Sequence, residues 1–223
     1  MCRHRAGYRR YRHHPRRFQA KPVALGLQNG VNAGAMIRLF VALRPPPIVR
    51  DVLADLQEGI PVARWQDDDQ LHLTLRFIGE VERPQAEDTA AALAQVHAPA
   101  PIVSLSGVGS FGARGRADTL WAGVAPAAPL HHLRAKVEQA CARAGLPPER
   151  RAFAPHITVA RLPRSIGGAP EVAGWCAVHA GLSSAPFELA HLILYQSHLG
   201  REGAIYEPVA RWPLGTEHRG EAS

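Results

Sequence analysis

Two short segments with the same polar pattern constrain this sequence more than any other feature. Residues 71–80 read LHLTLRFIGE and residues 154–162 read APHITVARL, so a His-x-Thr triplet stands in each of two apolar runs. Side chains alternate across a strand, which places the histidine and threonine of a triplet on one face and the apolar residues on the other. Two copies of this polar pair in apolar strands indicate a shared function rather than an ordinary core.

The two triplets occupy matching positions of an internal repeat. RLFVALRP at 38–45 and TLWAGVAP at 119–126 are each followed by a helical pattern and then by a His-x-Thr strand. The two histidines, His72 and His156, are 84 residues apart. We therefore predict an α+β fold built from duplicated strand-helix-strand-helix units, with two similar lobes packed as one unit and two more strands at the C-terminal end.

Positive charge is concentrated at the N-terminal end. The chain of 223 residues has a formal charge of +7, but residues 1–35 contain eight basic and no acidic residues, which leaves 18 basic and 19 acidic residues elsewhere. The pattern predicts a disordered tail or an upstream extension at 1–35, a single bilobal domain at 36–214 and a frayed end at 215–223. We interpret Met36, directly before an apolar strand, as the start of the protein.

Cysteine spacing and hydropathy argue against several other classes. Cys2, Cys141 and Cys176 are far apart and form no CxxC pair, so neither a zinc site nor a redox dithiol is predicted. GVGSFGARG lacks the lysine of a phosphate-binding P-loop. The chain shows neither a secretory leader nor an apolar run of membrane-spanning length, and we expect a cytoplasmic protein without membrane contact.

Paired imidazoles and hydroxyls suit chemistry at phosphorus. Two histidines, with ordinary pKa values near 6.5, can hold opposite protonation states, so that one accepts a proton from water while the other protonates a leaving oxygen. Threonine hydroxyls between them can donate to non-bridging phosphoryl oxygens. In-line displacement of this kind requires no metal and no cofactor.

The motifs resemble those of a known superfamily. HLTL at 72–75 and HITV at 156–159 are similar to the paired motifs of the 2H phosphoesterases, and RLFVAL, HLTLRFIGEV and FAPHITVAR resemble its RNA 2',3'-cyclic phosphodiesterase branch over residues 36–214. The resemblance implies two pseudo-symmetric lobes around a central cleft and metal-independent hydrolysis of 2',3'-cyclic phosphate ends of RNA or nucleotides to 2'-phosphomonoesters. Some relatives also catalyse the reverse 2'-5' ligation. We expect a monomer.

The resemblance also implies residue roles. His72 and His156 would be the catalytic pair, with Thr74 and Thr158 as phosphate donors. Arg161 matches a family arginine that contacts phosphate or nucleotide. A regular strand would put it on the face opposite His156, so this role requires a strand end or a bulge.

Some assignments stay open in the sequence. Regular alternation places Arg76 on the face of His72, where it would be either a phosphate contact or a structural ion pair. The resemblance favours His156 as general base and His72 as general acid, although the two motifs are nearly identical. Phe40 and Trp121, at matching places in the repeat, would either stack a base or pack in the core.

Two other functions are compatible with the sequence. One is a module of the same fold that binds a nucleotide or an RNA end without turnover. The other is a basic RNA-binding protein that acts through residues 1–35.

Overall fold

The computed structural model describes residues 36–200 and 203–215. The predicted tail at 1–35, with Cys2, and residues 216–223 of the predicted frayed end lie outside the described residues. The strands are β1 Ile37–Leu43, β2 Arg64–Trp65, β3 Leu73–Val81, β4 Ile102–Ala113, β5 Arg116–Ala125, β6 His156–Arg161, β7 Phe187–Glu188, β8 His191–Gly200 and β9 Gly203–Pro213. The α-helices are α1 Pro47–Ala54, α2 Arg83–Leu93, α3 Ala128–Arg143 and α4 Pro170–Val178, and a short 3-10 helix spans Asp68–Gln70.

The nine strands of the described residues join one sheet. The order is β7-β4-β5-β6-β3-β1-β8-β9, with β2 paired to β6 off this path. The strand pairs are antiparallel, and the large sheet with its few helices confirms the predicted α+β class. The first repeat supplies β1, α1, β3 and α2, and the second supplies β5, α3, β6 and α4. The C-terminal hairpin of β8 and β9 returns to β1 and completes the first half of the sheet.

Proline marks the beginning of every described α-helix. Each has a proline at its first or second helical position and no side-chain cap. Proline fits there because its ring fixes a helical φ, and the N–H that it lacks would have no partner in the helix. Among the described residues, none of the helices has the length and apolar character needed to span a membrane.

The helices pack on one face of the sheet. Alternate residues of β1, such as Leu39 and Val41, are fully buried with Leu53 of α1 and Leu133 of α3 in one continuous apolar cluster. Each side chain of this size contributes about 1.5–3 kcal/mol on burial. The opposite face carries a smaller cluster of Phe40, Ala42, Ile193 and Tyr195, against which Phe77 and Tyr206 pack. None of the helices in the described part of the chain covers this second face, which leaves it available for a site.

Candidate active site

The two His-x-Thr segments meet at the centre of the sheet. Strands β3 and β6 are antiparallel neighbours, and Leu73 pairs with Ile157, the residue between histidine and threonine in each motif. Both side chains are buried on the helical side. Because neighbouring side chains alternate, the flanking pairs His72 with Thr74 and His156 with Thr158 point to the face without helices. The fold therefore brings the four residues together about a pseudo-two-fold axis.

A bulge in β3 reverses the alternation after Thr74. Ala42 of β1 pairs with Thr74, but Val41 pairs with Arg76, so Leu75 is an extra residue without a partner on β1. Arg76 is thereby turned to the helical side and Phe77 to the cleft side. The prediction that Arg76 shares the face of His72 is wrong, because it assumed an uninterrupted strand.

Arg76 has a structural environment on that side. Its side chain is 4% exposed, and its guanidinium lies 3.6 Å from the carboxylate of Glu138 and 3.9 Å from that of Glu149. It also donates to the main-chain oxygen of Pro147. Of the two alternatives for Arg76, these contacts fit the structural ion pair and not a phosphate contact.

A matching bulge in β6 brings Arg161 to the cleft. Trp121 of β5 pairs with Thr158, whereas Leu120 pairs with Ala160, so Val159 is the extra residue. Val159 and Ala160 are both buried, and Arg161 returns to the face of the histidines. This bulge is the one that a role for Arg161 at the phosphate requires.

The two bulges are equivalent, but they bring different residue types to one matching position of the site. Each bulge follows its histidine by three residues, and the fifth residue after each histidine then faces the cleft. That residue is Phe77 in the first half and Arg161 in the second. One half of the site therefore presents a cation, and the other an aromatic ring that lies 5.3 Å below the guanidinium of Arg38.

The tautomer of both histidines is set by main-chain oxygens. Nδ1 of His72 lies 2.7 Å from the oxygen of Gln70, and Nδ1 of His156 lies 2.7 Å from the oxygen of Ala154. A carbonyl oxygen can only accept, so Nδ1 carries the hydrogen in each ring. Nε2 is left to accept a proton when the ring is neutral and to donate one when it is charged.

The site disfavours positive charge on either imidazole. Burial, together with the positive charge of Arg161 and repulsion from His156 when that ring is protonated, lowers the pKa of His72 from 6.5 to about 4, and the bond to Gln70 opposes this shift. Burial, with a contribution from Arg161, also lowers the pKa of His156. Both rings are therefore neutral at pH 7 in the free protein, and an anion is needed to favour a protonated one.

Aromatic rings support both imidazoles. The ring of Phe40 lies 4.9 Å from that of His72, and the rings of Phe111 and Trp121 lie 4.8 and 6.3 Å from that of His156. Phe40 is 3% exposed, so packing, and not base stacking, fits its position. Trp121 packs on Gly109, where a Cβ would come within 2.3 Å of the indole ring. These aromatic residues therefore pack against the two imidazole rings and restrict their orientation.

A pocket of about 700 Å³ opens on this face. His72, Thr74 and Arg161 line it, together with Arg38, Arg64, Gln70, Phe77, Ser197 and Tyr206 among others. His156 and Thr158 are not among its lining residues, although they share the face through the pairing of β3 with β6. The pocket is large enough for a nucleotide.

Two residues that the sequence analysis missed hold Arg161. Its guanidinium donates to Oγ1 of Thr119 at 2.8 Å, and the Thr119 hydroxyl donates to Oδ1 of Asp118 at 2.8 Å. Thr119 is buried and pairs with Arg161 across β5 and β6. The sequence has no signal for this contact, because the pairing register depends on the bulge at Val159.

Metal ligands are not clustered in this site. Within residues 36–200 and 203–215, no group of three or more His, Cys, Asp or Glu side chains is placed to hold a metal ion.

Comparison with known proteins identifies the family of this chain. The model of the 2'-5' RNA ligase superfamily matches residues 44–201, which include both His-x-Thr strands. The chain belongs to the 2'-5' RNA ligase superfamily. This membership confirms the resemblance to 2H phosphoesterases drawn from the two motifs.

Two curated relatives and one solved structure are similar to this protein over most of its chain. An RNA 2',3'-cyclic phosphodiesterase of Geobacillus stearothermophilus is 34% identical over 163 residues, covering 72% of this chain but 50% of its own length. One from Aeropyrum pernix is 32% identical over 160 residues, covering 71% of this chain and 89% of its own. Escherichia coli LigT, solved with 3'-AMP, superposes with a TM-score of 0.63 at 25% identity, covering 82% of this chain and all of LigT.

Proposed function

We propose that this protein is an enzyme that hydrolyses 2',3'-cyclic phosphate ends of RNA or nucleotides to 2'-phosphomonoesters. The observation that carries the proposal is the pair of imidazoles, His72 directly before β3 and His156 at the start of the neighbouring β6, each with Nδ1 bonded to a main-chain oxygen and Nε2 left for proton transfer. The names of the superfamily relatives, RNA 2',3'-cyclic phosphodiesterases, support the same activity.

Proton transfer is divided between the two histidines. Nε2 of His156 takes a proton from water as the water oxygen forms a bond to phosphorus. The bond between phosphorus and O3' breaks, and Nε2 of His72 gives its proton to O3'. The product carries a 2'-phosphate and a 3'-hydroxyl. The assignment of His156 as base and His72 as acid follows the family resemblance, since both rings are held in the same way.

Three further residues stabilise the charge at phosphorus. The hydroxyls of Thr74 and Thr158 donate to the non-bridging oxygens, and Arg161 provides a positive charge fixed by Thr119. The bound phosphate anion also raises the pKa of the nearby imidazoles, which favours the protonated His72 that the leaving oxygen requires. Substrate binding therefore helps to create the general acid.

The remaining expectations belong to the same proposal. The described part of 36–214 acts as one catalytic domain, the protein is a cytoplasmic monomer, and its substrates are RNA with cyclic phosphate ends or cyclic nucleotides. At high concentrations of RNA ends, the 5'-hydroxyl of a second RNA can replace water as the nucleophile: it loses its proton to His156 and its oxygen bonds to phosphorus, while the bond to O3' breaks and His72 protonates O3', which leaves a 2'-5' phosphodiester.

Product analysis tests this function. Purified protein is incubated with 2',3'-cyclic CMP in excess EDTA, and the 2'- and 3'-phosphates are separated by chromatography. We expect only the 2'-phosphate, because attack from the His156 side expels O3'. A 3'-phosphate, or activity that disappears with EDTA, contradicts the proposal. Tight nucleotide binding without any product favours the alternative, a binding module without turnover.

A further inference from the structure

A second pocket, which we call the arginine pocket, lies beside the catalytic cleft. Its volume is about 760 Å³, and its lining is Ala113, Arg114, Arg116, Ala117, Asp118 and Arg164. Half of these residues are arginines. The mechanism proposed above uses none of the three.

The turn between β4 and β5 fixes two of the arginines. Ala113 pairs with Arg116, and the two residues between them have positive φ, 55° at Arg114 and 74° at Gly115. Such a two-residue turn matches the twist of the strands and keeps the hairpin tight. At Gly112, a Cβ would come within 1.9 Å of the main-chain oxygen of Arg116, so the strands approach as closely as glycine allows.

The loop after β6 brings the third arginine to the same place. The N–H of Leu162 donates to the oxygen of Asp118 at 2.9 Å, and the N–H of Ala117 donates to the oxygen of Gly167 at 2.8 Å. These bonds hold residues 162–167 against β5, with Arg164 between them. A Cβ at Gly167 would come within 2.2 Å of the oxygen of Ala117, so this close approach also depends on glycine.

The three guanidinium groups are unpaired in the part of the chain that the structure describes. None of them forms an ion pair or a hydrogen bond there, and the acidic residue of the pocket, Asp118, accepts the hydroxyl of Thr119. The three side chains are exposed, so solvent screens their mutual repulsion, but together they give the pocket a positive potential that attracts an anion. Phosphodiester groups are the anions for which arginine is best suited.

The arginine pocket adjoins the cleft. Asp118 lines both, and the residues Arg161, Leu162 and Pro163 of the cleft lead directly to Arg164. We propose that the arginine pocket binds the phosphodiester backbone of the RNA strand whose cyclic end lies in the cleft. This inference rests on the proposed function, and it specifies an RNA strand as the preferred substrate over a cyclic mononucleotide.

A comparison of two substrates tests the inference. The variant Arg114→Gln/Arg116→Gln/Arg164→Gln and the wild-type protein are assayed for kcat/KM on 2',3'-cyclic CMP and on a 12-nucleotide RNA with a 2',3'-cyclic end. We expect a loss of about 10- to 100-fold on the RNA and less than about 2-fold on cyclic CMP, because the mononucleotide does not reach the pocket. The slope of log kcat/KM against log salt on the RNA becomes shallower by about 2, as expected for three lost contacts to a single strand.

A matched control removes the same charge elsewhere. Lys136→Gln/Arg143→Gln/Arg150→Gln changes three basic residues on and after α3, and we expect less than about 2-fold loss on either substrate. Equal losses on RNA in the two variants, or an arginine-pocket variant that retains full activity on RNA, overturn the inference. Failure of the proposed function is distinct, because the wild-type protein would then turn over neither substrate.

Discussion

At the scale of single residues, main-chain oxygens determine what the two histidines can do. Gln70 and Ala154 each precede their histidine by two residues, and each accepts from Nδ1. The same local geometry therefore occurs in both halves, and it leaves Nε2 of each ring for catalysis. The sequence motif predicted that each histidine shares a face with its own threonine, but it has no signal for the tautomer of either ring.

The lowered pKa values predict the pH dependence of catalysis. Activity rises with pH as the base loses its proton and falls as the acid loses its own, so the optimum lies between the two pKa values. Both values lie below 6.5 in the free protein, and that of His72 lies at about 4. We expect kcat/KM for cyclic CMP to be maximal below pH 6.5, and kcat to be maximal at higher pH, since bound phosphate raises both pKa values. Steady-state rates from pH 4 to 9 measure this; a kcat/KM optimum above pH 7 contradicts it.

Thr119 should act as a positioning residue for Arg161. Thr119→Val keeps the shape of the side chain but removes the oxygen that accepts from the guanidinium. We expect kcat/KM to fall about 10-fold, mainly through kcat, because the misplaced cation stabilises the transition state less. Thr119→Ser keeps the hydroxyl and should retain most of the activity. If both variants lose activity equally, the effect comes from packing and not from the hydrogen bond.

At the scale of elements, two strand bulges decide which side chains reach the cleft. Each follows its histidine by three residues, and together they turn Arg76 away from the cleft and Arg161 towards it. Hydrophobic alternation predicted the strands, the repeat and the face of His72 and Thr74. It could not predict Arg76 and Phe77, because Leu75 is apolar and fits the alternation whether or not the strand bulges there.

The position of Arg76 on the helical side predicts an effect on stability without an effect on catalysis. Arg76→Ala leaves Glu138 and Glu149 without their buried cation, which should lower the free energy of unfolding by about 3 kcal/mol. Urea unfolding measures this, with the exposed Arg143→Ala as a control that should change it by less than about 0.5 kcal/mol. Activity per folded molecule should be unchanged at low temperature; a large loss of kcat in the folded variant contradicts the structural assignment.

At the scale of the whole molecule, the catalytic pair lies where the two repeats join. The pairing of Leu73 with Ile157 unites the halves in one sheet, and the helices cover the other face along its length. The duplicated units were recognisable from the spacing of the motifs. The return of β8 and β9 to β1 was not, because pairing between strands about 150 residues apart leaves no local pattern.

The most direct test of the central claim is a double-mutant cycle on the two histidines. We measure kcat/KM for cyclic CMP in EDTA with His72→Ala, His156→Ala and the double variant, after confirming by circular dichroism that each is folded. If the two imidazoles act on one phosphorus, each single variant should lose at least about 100-fold, and the double variant should lose little more than the worse of the two. A single variant that keeps more than a third of the activity, or losses that multiply in the double variant, would contradict the account.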